Sequence, residues 1–320
     1  MLSYYAIHNN SLYSISDEEL KNGEIEPIWI DIKDPTPDEE KLIASIFNIN
    51  ITRNNTIQEV KLPSCYYQQR DEVYATINIV IDDNKMHTVS IILTKDKVIT
   101  TQSVAISESK EYLNHVLVNN PEIITPNSFF AYLIEARIND IDENLNNINS
   151  SLDQLSFSTF YLDELAKNQD SKLKNNINII GKKGHLISKH HESITSIIRA
   201  LNFIAKSNQI KPSPGELEKF QDLLHQVSIL EEQISFLSNK AGFLLDITFG
   251  LLDIEQNAIT KVLSIAALIF LPPAIIGGVY GMNFDQIPFA KSEYGFELAI
   301  FVMILFACLP YLFCKLKRWI

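Results

Sequence analysis

Three residues near the C-terminal end of the chain, Gly281-Met282-Asn283, have the types and the position to recognise a hydrated cation. They open a short loop directly after an uncharged apolar segment, residues 262–280. Mg²⁺ demands octahedral oxygen coordination and loses its water reluctantly. Asparagine carboxamides from several copies could form a ring that hydrogen-bonds this water shell and still releases the ion. Gly281 would permit a turn or a close backbone approach, whereas Met282, a poor ligand for a hard cation, is expected to pack.

A second set of polar residues lies upstream at helical spacing. Asp246, Gly250, Asp253 and Asn257 form a polar stripe on one face of a helix. The opposite face carries an apolar seam interrupted by one threonine, which consists of Leu223, Val227, Leu230, Ile234, Leu237, Ala241, Leu244, Thr248 and Leu251. The polar stripe fits either a solvated surface or a face turned toward a water-filled axis. The second interpretation requires a homo-oligomer, because one helix per chain cannot enclose an axis.

Two apolar segments must position these residues. As a helix, residues 262–280 would span about 28 Å, close to the hydrocarbon thickness of a bilayer, and residues 295–314 carry only one charge, Glu297. The short loop between them predicts a membrane hairpin. Basic residues lie beside the spans, so the positive-inside rule predicts cytoplasmic termini and an external loop; these residues are Lys261, Lys315, Lys317 and Arg318.

The charge of the chain argues against one class of function. The formal net charge is −12, and residues 1–256 carry −14 because five basic and three acidic residues follow from Asn257 onward. Nucleic-acid binding requires a basic surface, so we expect no nucleic-acid partner. The acidity suits a domain that meets cations, but it also serves solubility.

The N-terminal part has the pattern of an α/β domain. Turn residues at 82–85 and 95–96 predict two hairpins among short β-rich runs at 4–7, 28–32, 73–82, 88–94 and 97–102. An amphipathic helix is predicted at 37–47, and helical periodicity fills 129–165 and 175–208. Ser213, Pro214 and Glu216 have the types of a helix N-cap, a first helical position and a capping box. The predicted divisions are an α/β domain at 1–125, a helical hairpin at 126–212, a long helix at 213–280, a loop at 281–294, a second span at 295–314 and a basic tail at 315–320.

No pattern in the sequence indicates an enzyme. The run Lys189-His190-His191-Glu192 lacks a second ligand pair at zinc-type spacing, and we expect it on a solvated helix face. The run 181–184, Gly-Lys-Lys-Gly, is too short for a phosphate-binding loop and follows no predicted strand. No Ser/His/Asp or Cys/His arrangement marks a nucleophile.

The segment FLPPAIIGGVYGMNF at 270–284, the second span and the ending KLKRWI resemble the CorA family of magnesium channels. The segments at 29–40 and 89–101 also resemble this family, so the resemblance covers nearly the whole chain. It implies an α+β membrane protein with a cytoplasmic α/β head, a long stalk helix and two C-terminal transmembrane helices. It further implies a homopentameric funnel in the bacterial inner membrane, with Mg²⁺ as the transported and regulatory ion and Co²⁺ and Ni²⁺ as further cargo.

The resemblance also assigns roles to single residues. Gly281, Met282 and Asn283 match the selectivity filter, and the expected pore lining is Asp246, Gly250, Asp253, Asn257, Leu263, Leu271 and Gly278. Relatives close when Mg²⁺ binds between cytoplasmic domains through acidic side chains. The residues best placed for that role here are Asp222 and Asp82 or Asp83. Ion contacts are therefore expected at Asn283, Asp246, Asp222, Asp82 and Asp83.

One departure and two alternatives remain. Many relatives have an acidic residue after the loop proline, but Phe289 follows Pro288, so cation attraction would fall to Asp285 or Glu293. A zinc transporter of the related ZntB type is one alternative, although such relatives usually carry isoleucine in place of Met282. A membrane-anchored sensor or scaffold without conduction is the other; in it, Asn283 and Asp246 would tolerate substitution.

Overall fold

The structure is a computed structural model that describes residues 2–8, 11–22, 25–35, 66–69, 71–81, 85–102, 107–119, 124–160, 169–208, 210–282, 287–288 and 294–317. The chain divides into two compact units. The first comprises Met1–Leu162 with Asn176–Leu245, and the second comprises Asp163–Asn175 with Asp246–Ile320. The predicted helix at 37–47 lies outside the described residues.

Among the described residues, the strands of the first unit are β1 Leu2–His8, β2 Ser11–Ile15, β3 Trp29–Lys33, β4 Tyr67–Gln69, β5 Glu72–Val80, β6 Met86–Leu93 and β7 Val98–Gln102. They form a mixed sheet in the order β2-β1-β3-β7-β6-β5-β4. Within this sheet β3 and β7 pair in parallel, and the other neighbouring strands are antiparallel. Both predicted hairpins are confirmed, because β5 pairs with β6 and β6 with β7 in antiparallel register.

Alternating side chains give the sheet two apolar faces. One face packs with the helices, and its residues Trp29, Val73 and Ile91 share a cluster with the helical residue Phe129. The other face forms a separate cluster around Tyr4, Ile30, Ile32, Tyr74 and Ile99. The sheet is therefore buried on both sides along its centre.

A buried polar network ties the parallel pair β3 and β7 together. The Trp29 indole donates a hydrogen bond to the Thr100 hydroxyl at 2.9 Å, and that hydroxyl donates to Asp31 at 2.7 Å. The Gln102 amide donates to the same Asp31 oxygen at 2.7 Å. The buried carboxylate thus has the partners that such a group requires.

Long helices follow the sheet. Within the described residues the helices are α1 Asp17–Asn22, α2 Ser107–Asn119, α3 Pro126–Phe160, α4 Gln169–Ala205, α5 Pro214–Tyr280 and α6 Gly295–Leu316. The first unit holds α3, the part of α4 from Asn176 onward and the N-terminal part of α5 in one apolar core. The apolar seam of α5 is confirmed as the buried face from Leu223 to Thr248, and Leu251 is half-buried.

The predicted capping box begins α5. The backbone N–H of Ser213 donates to the Glu216 carboxylate at 2.6 Å, and the N–H of Glu216 points back to the Ser213 hydroxyl at 3.4 Å. These bonds satisfy N–H groups that have no partner in the first turn. The helix then continues without interruption through Pro272 and Pro273 to Tyr280.

Candidate functional site

The polar stripe of α5 lies on an exposed face of the second unit. Asp246, Gly250, Asp253 and Asn257 are all exposed, whereas Thr248 on the seam is fully buried. Within the part of the chain that the structure describes, the three polar side chains of the stripe make no hydrogen bond or ion pair. They are therefore open to water, an ion or another copy of the chain.

An apolar span continues the same helix. Leu263 and Leu271 are 70% and 60% exposed, and a Cβ atom added at Gly278 would meet no neighbouring atom within 4 Å. The apolar part of α5 and the helix α6 are both long and apolar enough to cross a membrane, and almost none of either is buried. Exposed apolar surface of this extent is expected to face lipid or other apolar segments.

The two apolar helices approach each other closely at Gly277. A Cβ atom at this position would lie 3.5 Å from the terminal methyl carbon of Met303 on α6. Nearer the other end of the spans, Cys314 is buried and lines a cavity with Lys261, Ser264, Ile265 and Leu268. The predicted pairing of the two spans is therefore present.

The Gly281-Met282-Asn283 motif begins at the C-terminus of α5. The N–H of Gly281 donates to the Gly277 carbonyl at 2.9 Å, and the N–H of Met282 donates to the Val279 carbonyl at 3.2 Å. A Cβ atom on Gly281 would lie 3.2 Å from the Gly277 carbonyl oxygen, so the position is tight for any side chain. Met282 is 49% exposed, and Asn283 lies outside the described residues.

One contact at this helix end was not evident from the sequence. The Tyr280 hydroxyl donates to the Pro288 carbonyl at 3.1 Å and ties the helix end to the loop. The last turn of α5 has no basic residue, so its carbonyl oxygens and the negative end of the helix dipole remain favourable for a cation. The direction of the helix dipole can be inferred from the sequence, because it follows from the direction of the helix. No sequence pattern indicated the hydrogen bond from Tyr280 to Pro288.

The candidate regulatory carboxylates are only partly described. Asp222 is exposed on α5, and Asp82 and Asp83, like Asp285 and Glu293, lie outside the described residues. Among the described residues, no three His, Cys, Asp or Glu side chains lie close enough together to hold a metal ion.

One sequence-based expectation was wrong. The run Lys189-His190-His191-Glu192 was expected on a solvated face, but His190 is only 3% exposed. His191 is exposed as expected. The helix turns His190 toward α3 and the end of β5, where it lines a polar cavity.

The chain matches the model of the CorA-like Mg²⁺ transporter protein family over residues 25–318. It belongs to this family. This membership confirms the expected resemblance and the expectation of a protein that is not an enzyme, because the family consists of ion transporters. The magnesium transport protein CorA of Escherichia coli strain K12 is 24% identical over 326 residues, which cover 100% of both chains. The CorA protein of Salmonella typhimurium strain LT2 is likewise 24% identical over the full length of both.

Solved structures confirm the CorA fold. The complete CorA magnesium transporter of Methanocaldococcus jannaschii matches with a TM-score of 0.72 at 17% identity, covering 100% of this chain and 99% of that one. The full-length CmaX protein matches with a TM-score of 0.67 at 12% identity, covering 100% and 98%. The cytoplasmic domain of ZntB from Vibrio parahaemolyticus matches with a TM-score of 0.52 at 14% identity, covering 78% and 97%. At such low identities, these structural matches establish the fold alone: an α/β head, a long helix and two C-terminal apolar helices.

Proposed function

We propose that this CorA-family protein is a channel for Mg²⁺, driven by the membrane potential. Its full-length relatives are magnesium transport proteins. The observation that carries the proposal is the continuity of α5, which places the exposed polar stripe, an uncharged span and the Gly281-Met282 turn on one helix. Such a helix supplies polar, apolar and cation-favouring sections in sequence along a single axis.

The channel is a homopentamer in this proposal, in keeping with the family resemblance. A single α5 helix cannot enclose a pore, so the polar stripe requires further copies. Ile229, Phe236 and Phe243 support assembly, because they form an exposed apolar row at seven-residue spacing on α5. Exposed apolar rows of this kind are typical of helix packing between subunits.

Five copies of α5 would line the pore. The pore-lining residues are Asp246, Gly250, Asp253, Asn257, Leu263, Leu271 and Gly278, and the filter is Gly281, Met282 and Asn283. Carboxylates and carboxamides along the stripe attract the ion with its water, and the apolar section forms a constriction. Asn283 would recognise the hydrated ion by hydrogen bonds to its water shell.

Intracellular Mg²⁺ closes the channel in this proposal. Ions bound between neighbouring heads through Asp222 and the hairpin residues Asp82 and Asp83 would stabilise a closed arrangement. Loss of these ions leaves like charges facing each other and favours opening. Asp222 is exposed and so accessible to a neighbouring copy.

The membrane in question is the bacterial inner membrane. The basic residues Lys261, Lys315 and Lys317 border the spans and favour cytoplasmic termini with the filter loop outside. Co²⁺ and Ni²⁺ are divalent ions of similar hydration, and we propose them as further cargo.

The test is Mg²⁺ entry into proteoliposomes under a clamped inside-negative potential with little internal Mg²⁺. Asn283→Ala should lose the flux, whereas Asn178→Ala should keep it, because Asn178 is an exposed position on α4 and α4 contributes none of the proposed pore-lining residues. Verified insertion without Mg²⁺ flux in the unmodified protein would overturn the proposal. Zn²⁺ flux in its place would favour a ZntB-type transporter, and no flux of either ion would favour a non-conducting sensor.

A further inference from the structure

A polar cavity of about 520 Å³ lies within the first unit, between α3, α4 and the end of β5. None of the residues that line it belongs to the polar stripe or to the apolar spans. Its wall from α3 includes Arg137, Asp140 and Asn144, and its wall from α4 includes Lys183 and His190. A cavity of this size can admit a small organic molecule or ion.

The wall from β5 is held in place by hydrogen bonds to α4. The N–H of Asn78 donates to the Ser196 hydroxyl at 2.8 Å, and the Ser193 hydroxyl donates to the Asn78 carbonyl at 2.5 Å. The Asn78 side-chain amide donates to Glu192 at 3.0 Å. The strand end is thus fixed one turn from His190, and the cavity is a built feature of the fold.

His190 places a buried imidazole in the wall of this cavity. Only 3% of its surface is exposed, and its Nδ1 atom has no hydrogen-bond partner among the described residues. Burial lowers the pKa of the imidazole to about 4, so the ring is neutral in a cytoplasm near neutral pH. A buried polar group without a partner is costly, and such groups commonly meet a ligand or water.

The four charged side chains that line the cavity sum to zero, but the two cations are as a pair more buried than the two anions, and this difference favours an anion over a cation. The Arg137 guanidinium lies 2.9 Å from the Asp140 carboxylate, so these two charges compensate each other. Lys183 is half-buried and makes no ion pair within the part of the chain that the structure describes. Glu143 lies on the exposed rim, where water screens it. The described residues here hold no set of three metal-ligating side chains.

We propose that this cavity binds a small oxyanion, a phosphate or carboxylate group, through the ammonium of Lys183 and the imidazole of His190. The anion would favour protonation of His190, because an imidazolium donates hydrogen bonds from both nitrogens. The proton comes from solvent, so binding strengthens as pH falls. Arg137, Asp140 and Glu143 on α3 and Lys183 on α4 are the charged groups that face the ring, and the residues from β5 are apolar. The site does not depend on ion transport.

The test is the thermal stability of the full-length protein in detergent, titrated with inorganic phosphate or with acetate at constant ionic strength. The buffer is freed of divalent cations with a resin, because soluble chelators are themselves polycarboxylates. Phosphate, acetate or both should raise the melting temperature saturably, and more at pH 6 than at pH 8. His190→Gln and Lys183→Gln should each weaken binding about tenfold. The exposed neighbours supply matched controls, His185→Gln and Lys182→Gln, which should bind as the unmodified protein does.

Comparing the two anions distinguishes a phosphorylated ligand from a carboxylate ligand. A response to phosphate alone supports a phosphorylated ligand, and a response to acetate supports a carboxylate. Equal responses in all variants, or none to either anion, would overturn the proposal. A response to Mg²⁺ alone that His190→Gln abolishes would also overturn it, in favour of a cation site. If His190→Gln does not fold, the anion affinity of Lys183→Gln alone tests the proposal.

Discussion

The hydroxyl of Thr125 donates a hydrogen bond to the carboxylate of Glu216, which joins the start of α3 to the start of α5. Thr125 also accepts a bond from the N–H of Ser128 at 3.1 Å, and Glu216 accepts one from the N–H of Ser213 at 2.6 Å. Each helix is therefore capped, and the two caps share one bond. This contact sets the position of the first turn of α5 within the first unit.

Glu216→Gln should lower the stability of the protein at neutral pH by about 1 kcal/mol, the usual contribution of a cap. Burial raises the pKa of Glu216, but hydrogen bonds from Thr125 and Ser213 outweigh it and hold the pKa below its ordinary value of 4.5. A depressed carboxyl pKa stabilises the fold above the unfolded-state pKa and ceases to do so as pH falls through the folded-state pKa. The difference in melting temperature between the two proteins should therefore shrink in acid. Glu218→Gln, on the same helix, is the control, and a difference that persists unchanged in acid would contradict the argument.

Leu237→Ala should destabilise the first unit by about 2–5 kcal/mol, because it removes a buried side chain and leaves a cavity. Leu237 is fully buried in the seam. Thermal denaturation followed by circular dichroism measures the effect. Ser238→Ala, at the exposed neighbouring position, should change stability by no more than about 0.5 kcal/mol. Equal effects of the two changes would show that the seam does not carry the packing.

Asp246→Lys should reduce Mg²⁺ flux by about tenfold or more, since a positive charge on the polar stripe repels the ion. Its melting temperature should stay the same, because the side chain is exposed. Mg²⁺ flux into proteoliposomes measures the effect of Asp246→Lys. The control is Asp142→Lys, on the exposed face of α3. Unchanged flux in Asp246→Lys would mean that the stripe is a solvated surface.

Asp222→Asn combined with Asp82→Asn and Asp83→Asn should raise the Mg²⁺ concentration needed for protection from protease. Fewer carboxylates bind the closing ion more weakly, and a ligand shifts an equilibrium only by its differential affinity for the two states. Limited proteolysis across a Mg²⁺ series measures this concentration, and Glu218→Gln controls for the loss of a nearby charge on α5. If protease protection depends on Mg²⁺ concentration in the same way in the triple variant and in the unmodified protein, these aspartates are not the sensor.

The strands that the sequence failed to indicate lie at the edges of the sheet. β2 is largely exposed and β4 has only three residues, so neither carries a clear alternation of apolar and polar side chains. The central strands β5, β6 and β7 were recognisable because one or both of their faces are buried. The two hairpins that join these strands were predicted, but the pairing of β3 with β7 became visible only in the structure, because a long stretch of chain separates the two strands.

The sequence by itself determined the elements with local signals: the capping box at Ser213, the seam from Leu223 to Thr248, the exposed polar stripe and the two apolar spans. Each depends on neighbours within a few turns, so its period and residue types are enough to reveal it. The tertiary structure alone decided which side chains of charged helices become buried. His190 and His191 are adjacent and alike in sequence, but only His190 faces the end of β5. The reason is physical: burial depends on what a distant strand places against the helix, and no periodicity within the helix records that.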